Sequence, residues 1–256
     1  MKKLLCLLFL VSLILVGCAG ADKDDLAEFR NQTSAQLFTA GEKALASGNY
    51  ETSIKNFEAL DAIYPFGPNS RQGQLDLIYA YYQSGDNASA LAAAERYIRL
   101  NAHDRDVDYA YYMKGLVLYD QGPTWLQKQV GTDMASRDLT DKKRSFSAFG
   151  MLVRLFPRSQ YRDDAILHMR YIRNLMARRQ VEEAEFYMKR KAYVAAVSRS
   201  NEVLAHYSET PSVIPALDIM VRGYRKLGMH DMASKTLKVF QASYPKAPQL
   251  DSLVKA

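Results

Sequence analysis

Five helix-stopping positions recur along this chain in a shared local context, and they limit what it can fold into. Positions 65, 102, 157, 208 and 245 each follow an apolar stretch of helical period. Three of them are proline preceded by an aromatic residue: Tyr64-Pro65, Phe156-Pro157 and Tyr244-Pro245. Proline bars the residue before it from helical geometry, so each pair ends a helix. The stops lie 37, 55, 51 and 37 residues apart. Strand-type alternation and Asn-Gly or Asp-Gly hairpin signals are absent, and 13 Gly and 8 Pro are too few for a loop-rich all-β chain.

Between the stops the helices come in pairs with a repeated signature. The first pair carries Leu37, Ala40, Gly41 and Ala44, then Gly48, Tyr50, Ser53, Phe57 and Leu60. Set on the tetratricopeptide pattern, these fall on its small and aromatic positions, and its repeat of about 34 residues matches the outer stop spacings. Gly41 lets the second helix approach the first. Gly48-Asn49 ends one helix and caps the next. Tyr50 and Phe57 fill the space between. The register returns in Gly85, Ala90, Ala94 and Tyr97, then in Gly115, Ser145, Phe149 and Leu152. It returns again in Ala184, Tyr193, Ala196 and Val203, and last in Gly228, Ala233, Leu237 and Phe240. The expected fold is all-α, an α-solenoid of about five tetratricopeptide-like helix pairs, about ten helices; the competing reading is an irregular helical bundle.

The first residues lie outside that pattern. Lys2-Lys3 is a short basic region and Leu4 to Val16 an apolar run. That run is shorter than the roughly 20 residues needed to span a bilayer and fits a signal-peptide core. It ends in Leu15-Val16-Gly17-Cys18, which resembles a bacterial lipobox. The reading is a lipoprotein signal peptide over 1–17, with diacylglycerol and an N-acyl chain on Cys18 as the only cofactor-like groups. A plain secretory signal is the alternative. Ala19, rather than Asp, follows the cysteine, which by resemblance to lipoprotein sorting directs the chain to the periplasmic leaflet of the outer membrane. That location argues against a nucleic-acid partner, which the net charge of +6 alone would allow.

Residues 18–33 read as a lipidated flexible tether, 34–103 as repeats 1 and 2, and 104–159 as repeat 3. An insertion over 120–139, with the lone Trp125, interrupts the third repeat. Residues 160–245 read as repeats 4 and 5 with a long helix over 160–191, and 246–256 as a C-terminal tail. Charge divides unevenly: residues 19–139 carry a net −6, residues 140–199 a net +8 and residues 200–256 a net +2. The long helix holds Arg170, Arg173, Arg178, Arg179 and Lys189, which marks it as an expected partner surface.

Catalytic signatures are missing. No two of His103, His168, His206 and His230 are three or four residues apart, so a helix-borne metal pair is absent. Asp104, Asp106 and Asp108 lack the turn glycine and terminal glutamate of a calcium loop. No nucleophile elbow, phosphate loop or dinucleotide fingerprint occurs. The expectation is a scaffold, not an enzyme; a periplasmic peptidoglycan lyase built on a helical solenoid is the catalytic competitor.

Several longer runs carry a more specific resemblance: Tyr64-Pro65-Phe66-Gly67-Pro68, Leu75-Asp76-Leu77-Ile78-Tyr79-Ala80-Tyr81-Tyr82, Ile98-Arg99-Leu100-Asn101 and Ala184-Glu185-Phe186-Tyr187. With the lipobox and helix pairs, they make the chain similar to the BamD family, lipoproteins of the bacterial outer-membrane β-barrel assembly machinery. The resemblance implies partners: POTRA domains of the barrel protein BamA, unfolded β-barrel precursors and further Bam lipoproteins. It implies an N-terminal groove for precursor signal peptides, for which Tyr64, Phe66, Tyr79 and Tyr82 are the candidates here. It also implies a BamA-facing arginine after an Ala-Tyr-Val segment, here Ala192-Tyr193-Val194, making Arg199 the matching position. The alternative function is another outer-membrane lipoprotein repeat scaffold, coordinating peptidoglycan synthesis with envelope constriction.

Overall fold

Three of the first four helices begin at a side chain, Thr33, Asn49 or Asp86, that accepts from an otherwise unpaired backbone N–H. The computed structural model describes residues 26–120 and 139–255. The signal segment with Cys18, the tether up to residue 25 and most of the insertion, including Trp125, lie outside the described residues. Among the described residues there are eleven helices and no strand. None is long and apolar enough to cross a membrane. The chain forms two units, dividing after Ala80.

The N-terminal unit holds α1 (Ser34–Ala46), α2 (Tyr50–Ile63) and most of α3 (Pro68–Ser84). Thr33 opens α1 with a reciprocal cap. Its hydroxyl accepts from the Gln36 N–H, and the Gln36 side chain accepts from the Thr33 N–H at 2.8 Å. Gly48 leaves α1 at φ +74°, and Asn49 Oδ1 accepts from the Thr52 N–H at 3.2 Å to start α2. Leu37, Phe57, Leu60 and Ile78 are at most 1% exposed. Each contributes roughly 1.5–3 kcal/mol by burial. A Cβ on Gly41 would lie 2.5 Å from the Phe57 ring, so only glycine admits this ring at full depth.

Residues 26–33 correct the expected tether. They form turns, the Phe29 N–H bonds the Leu26 carbonyl at 3.0 Å, and Phe29 is buried. A single buried aromatic is too little for a periodic stripe, and the Tyr64 hydroxyl ties the segment to the fold at the Gln32 carbonyl.

The C-terminal unit contains the end of α3, then α4 (Asn87–Leu100), α5 (Val107–Asp120), α6 (Thr140–Leu155), α7 (Arg162–Lys189), α8 (Tyr193–His206), α9 (Val213–Lys226), α10 (His230–Ser243) and α11 (Gln249–Lys255). From α4 to α10 each helix packs on the next, the neighbour-to-neighbour stacking of a helical repeat array. The glycine–aromatic contact recurs: a Cβ on Gly115 would meet the Phe149 ring at 2.4 Å, while a Cβ on Gly223 would meet the Val197 side chain at 2.6 Å. The Ser145 hydroxyl donates to the Gly115 carbonyl at 2.8 Å and locks α5 to α6.

α7 is one helix of 28 residues, about 42 Å long at 1.5 Å per residue. Ala165 and Ile172 in its first half pack with Phe149 and Leu152 of α6. Ala184 in its second half packs with Ala196 of α8 and Ile219 of α9. The segment read as a tail also belongs to the fold. Leu250 and Leu253 of α11 are buried with Phe240, Val203 and Leu217. Seven residues show too little periodicity for a sequence to reveal such a helix.

The stops behave as the sequence requires. Before proline, Tyr64, Phe156 and Tyr244 take ψ values of 67°, 66° and 60°. At the two stops without proline, Asn101 and Tyr207 take only 37° and 32°. The proline ring pushes the preceding residue toward extended backbone.

Candidate functional site

The corner between α2 and α3 gathers the most specific residues of the N-terminal unit. The Tyr64 N–H donates to the Leu60 carbonyl at 2.9 Å, closing α2. The Tyr64 hydroxyl donates to the Gln32 carbonyl at 2.9 Å, tying the corner to the segment before α1. Gly67 takes φ +120°, and Pro68 supplies the first residue of α3. The Ser70 hydroxyl reaches back to the carbonyls of Tyr64 and Phe66. The backbone is therefore held from several sides, yet Phe66 projects from it 90% exposed. The residues at the same place after Pro157 and Pro245 are Arg158 and Lys246, both exposed.

One face of α3 adds charge to the same unit. Gln72, Asp76 and Tyr79 follow one another at helical spacing. Burial, with help from Glu42 of α1 and against a hydrogen bond from Gln72, pushes the Asp76 carboxyl up to about 6. Tyr79 is half-buried. Of the four aromatic candidates, Tyr64 and Phe66 share the corner and Tyr79 lies on α3 within the same unit. Tyr82 belongs to the C-terminal unit, where its hydroxyl donates to the Asp120 carboxylate. Asp76 escaped the sequence reading because nothing in its neighbourhood signals burial of an acid.

Arg199 lies in a ladder of charges where α7, α8 and α9 meet. Its Nε is 3.3 Å from a Glu183 carboxylate oxygen, and its Nη1 donates to Gln180 Oε1 at 3.3 Å. Glu183 also receives Arg179 at 2.8 Å. Arg222 of α9 bridges Glu185 at 2.6 Å and Asp218 at 2.7 Å. Burial raises the Asp218 carboxyl, with Arg222 opposing it. Along α7, Arg173 reaches Glu209 at 3.3 Å and Arg178 reaches Glu182 at 3.5 Å. The basic run is thus interleaved with acids. The i,i+4 pairs are readable in the sequence; the Arg222–Glu185 bridge, 37 residues apart, is not.

Apolar groups border the ladder. Phe186 is 52% exposed with the Arg190 guanidinium 5.2 Å from its ring centre, and Val194 is 70% exposed. Cys18 lies outside the described residues, so the structure adds nothing on lipidation. Among the described residues no group of three His, Cys, Asp or Glu side chains is placed to hold a metal ion.

Comparison with known proteins adds family membership to this geometry. A family model described as outer membrane lipoprotein, YfiO, matches residues 30–251. The chain is 34% identical over 252 residues to the outer membrane protein assembly factor BamD of Neisseria meningitidis serogroup A, covering 98% of this chain and 94% of that one. It is 37% identical over 207 residues to the BamD of Vibrio cholerae serotype O1, covering 81% and 86%. Among solved structures, a thermophilic tetratricopeptide protein of Thermus thermophilus is 15% identical at a TM-score of 0.36, over 88% of this chain and 100% of that one. The fold assignment rests on the helix pairs themselves. A match running from Arg30 to Asp251 takes in both the aromatic corner and the charge ladder, and the chain belongs to the YfiO family of outer membrane lipoproteins.

Proposed function

We propose that this chain is an assembly factor for outer-membrane β-barrel proteins, a scaffold anchored by acyl chains on Cys18 to the periplasmic leaflet of the outer membrane. Two or three acyl chains make such an anchor effectively permanent, at about 0.8 kcal/mol per buried CH2. The N-terminal unit receives the aromatic end of an unfolded barrel precursor, and the C-terminal unit docks a POTRA domain of BamA, with further Bam lipoproteins as neighbours. The observation that carries the reading is Phe66, an exposed aromatic on a rigid corner whose two counterparts carry cations. A rigid, exposed aromatic is the type of anchor that concentrates binding energy.

In this reading Tyr64 and Ser70 hold the corner, Phe66 makes the contact, and Tyr79 borders it. The raised Asp76 carboxyl beside Glu42 disfavours a free carboxylate at that spot. The ring of a precursor's last aromatic residue therefore docks at Phe66, with its terminal carboxylate directed away from Asp76. Arg199 meets BamA by exchanging Glu183 for an acid of the partner.

The test is a photo-crosslinking amino acid at position 66 and, as control, at position 158, in cells expressing a β-barrel precursor. Capture of the precursor's C-terminal peptide at 66 and not at 158 supports the reading. Equal capture at both, or none at 66, removes the corner from the precursor path. For Arg199, the Gln variant is preferable to Glu, because Glu beside Glu183 would disturb the ladder itself. Affinity of a purified POTRA fragment unchanged by Arg199→Gln would take Arg199 out of the interface.

A further inference from the structure

A second surface, in the C-terminal unit, has the chemistry of a docking site. α4, α5 and α6 wall an open cavity of about 580 Å³. Its apolar lining comes from Ile98 on α4, Leu118 on α5, and Ala148 and Met151 on α6. Leu155, one turn beyond Met151 on α6, is 47% exposed. Four cations line the same space: Arg99 on α4, Lys114 on α5, and Lys143 and Arg144 on α6. Among the described residues, Glu95 is the one acid that lines it.

The internal pairing leaves this cavity positive. Lys114 is matched by Glu95 at 2.8 Å, and Arg144 by Asp141 at 3.0 Å. Among the described residues, neither Arg99 nor Lys143 has a carboxylate partner, and both are exposed. This differs from α7, where Arg173, Arg178 and Arg179 each meet an acid. The cations are spread over three helices around an apolar floor. A phosphate cradle would instead converge backbone N–H groups of a loop or helix N-terminus on one point. A floor that accepts an aliphatic or aromatic side chain, with separated cations around it, fits a peptide whose acidic residues flank an apolar one.

We infer that the α4–α6 cavity is a docking site for an acidic peptide segment of a partner protein, anchored by one apolar side chain. The inference stands apart from the precursor and BamA contacts proposed above, and it would hold if both of those failed.

The test uses the full-length protein purified in non-ionic detergent and a short fluorescein-labelled peptide in which Glu-Asp pairs flank a Leu-Phe centre. Fluorescence anisotropy should show saturable binding that weakens as salt is raised. The Arg99→Gln/Lys143→Gln variant should weaken it by at least about tenfold, since two unpaired cations are removed. Ser147→Trp, an exposed position lining the cavity, should block it. Glu95→Gln should strengthen it, because Lys114 is freed for the peptide. Helical circular dichroism confirms that each variant is folded. No saturable binding overturns the inference, as does binding that both Arg99→Gln/Lys143→Gln and Ser147→Trp leave intact. Binding of soluble short-chain phosphatidylglycerol that depends on Arg99 and Lys143, without peptide binding, assigns the cavity to a lipid headgroup and overturns it too.

Discussion

The corner after α2 and the corner after α6 are built alike and carry different tips. Both end in an aromatic residue before proline, with φ and ψ of −127° and 67° at Tyr64 and −125° and 66° at Phe156. In both, the cap N–H returns to a leucine carbonyl, Leu60 at 2.9 Å and Leu152 at 2.8 Å. The difference comes just past the proline-preceding aromatic, where Phe66 stands exposed and Arg158 takes the matching place. A shared geometry with divergent tips separates what the fold demands from what it leaves open. The aromatic, the proline and the leucine are demanded; the next side chain is not.

The largest test of this comparison is to remove the demanded leucine from both corners. Leu60→Ala and Leu152→Ala, each at a site no more than 1% exposed, should cost about 2–5 kcal/mol apiece in denaturant unfolding. A loss at one corner and not the other would end the claim of equivalence.

A smaller effect tests the N-terminal unit through its half-buried acid. The folded Asp76 carboxyl at about 6 lies above its ordinary 3.8, so the folded state holds that proton more tightly than the unfolded chain. Its cost to stability is absent below about pH 4, grows as pH rises toward 6, and is constant above that. Asp76→Asn should therefore stabilise the protein by about 2 kcal/mol at neutral pH, discounted for partial exposure. The gain should vanish near pH 4. A gain independent of pH would show that Asp76 does not carry the shifted proton.

Tyr64→Phe removes the hydroxyl that donates to Gln32, which Phe156 never had. It should cost about 1 kcal/mol and loosen residues 26–33, read as faster amide exchange there. Lys191 offers a test of similar size. It occupies φ +59° between α7 and α8, where the turns at Gly48, Gly85 and Gly228 use glycine. Lys191→Gly should stabilise the chain by up to about 1 kcal/mol. The smallest change in stability belongs to Phe66→Ala, within about 0.5 kcal/mol, because the ring is hardly packed. A large loss of stability there would mean that Phe66 serves the fold, and the contrast with Arg158 would collapse.

Much of the architecture was legible because repeats write the same physics several times. Gly41 and Gly115 stand at close helix contacts, and Phe57 and Phe149 fill them. Tyr64, Phe156 and Tyr244 close helices before proline. What escaped depends on contacts that no spacing encodes. Leu250 and Leu253 are buried by partners distant in sequence, and Phe29 is buried without belonging to a periodic stripe. The desolvation of Asp76 depends on how α1 meets α3. Of the site residues, Tyr64 reads as a contact in sequence but is held by Gln32 in the structure, whereas Phe66 remains available. The long basic helix was visible, but the acids that pair with it were only partly so, since Glu209 lies on another element.

The long helix α7 changes how the C-terminal unit should come apart. In an ordinary array each repeat meets only its neighbours, so end repeats fray singly and stability builds by small additions. Here one rod is shared by the packing around Phe149 and the packing around Ile219. Melting either cluster exposes one half of a rod whose other half remains packed. The unit should therefore unfold as one cooperative block, with amides along α7 and in the packed faces of α6, α8 and α9 exchanging at a common rate. A scaffold that must present separate surfaces at fixed spacing gains from such a spine, because a load on one surface is borne by the whole unit.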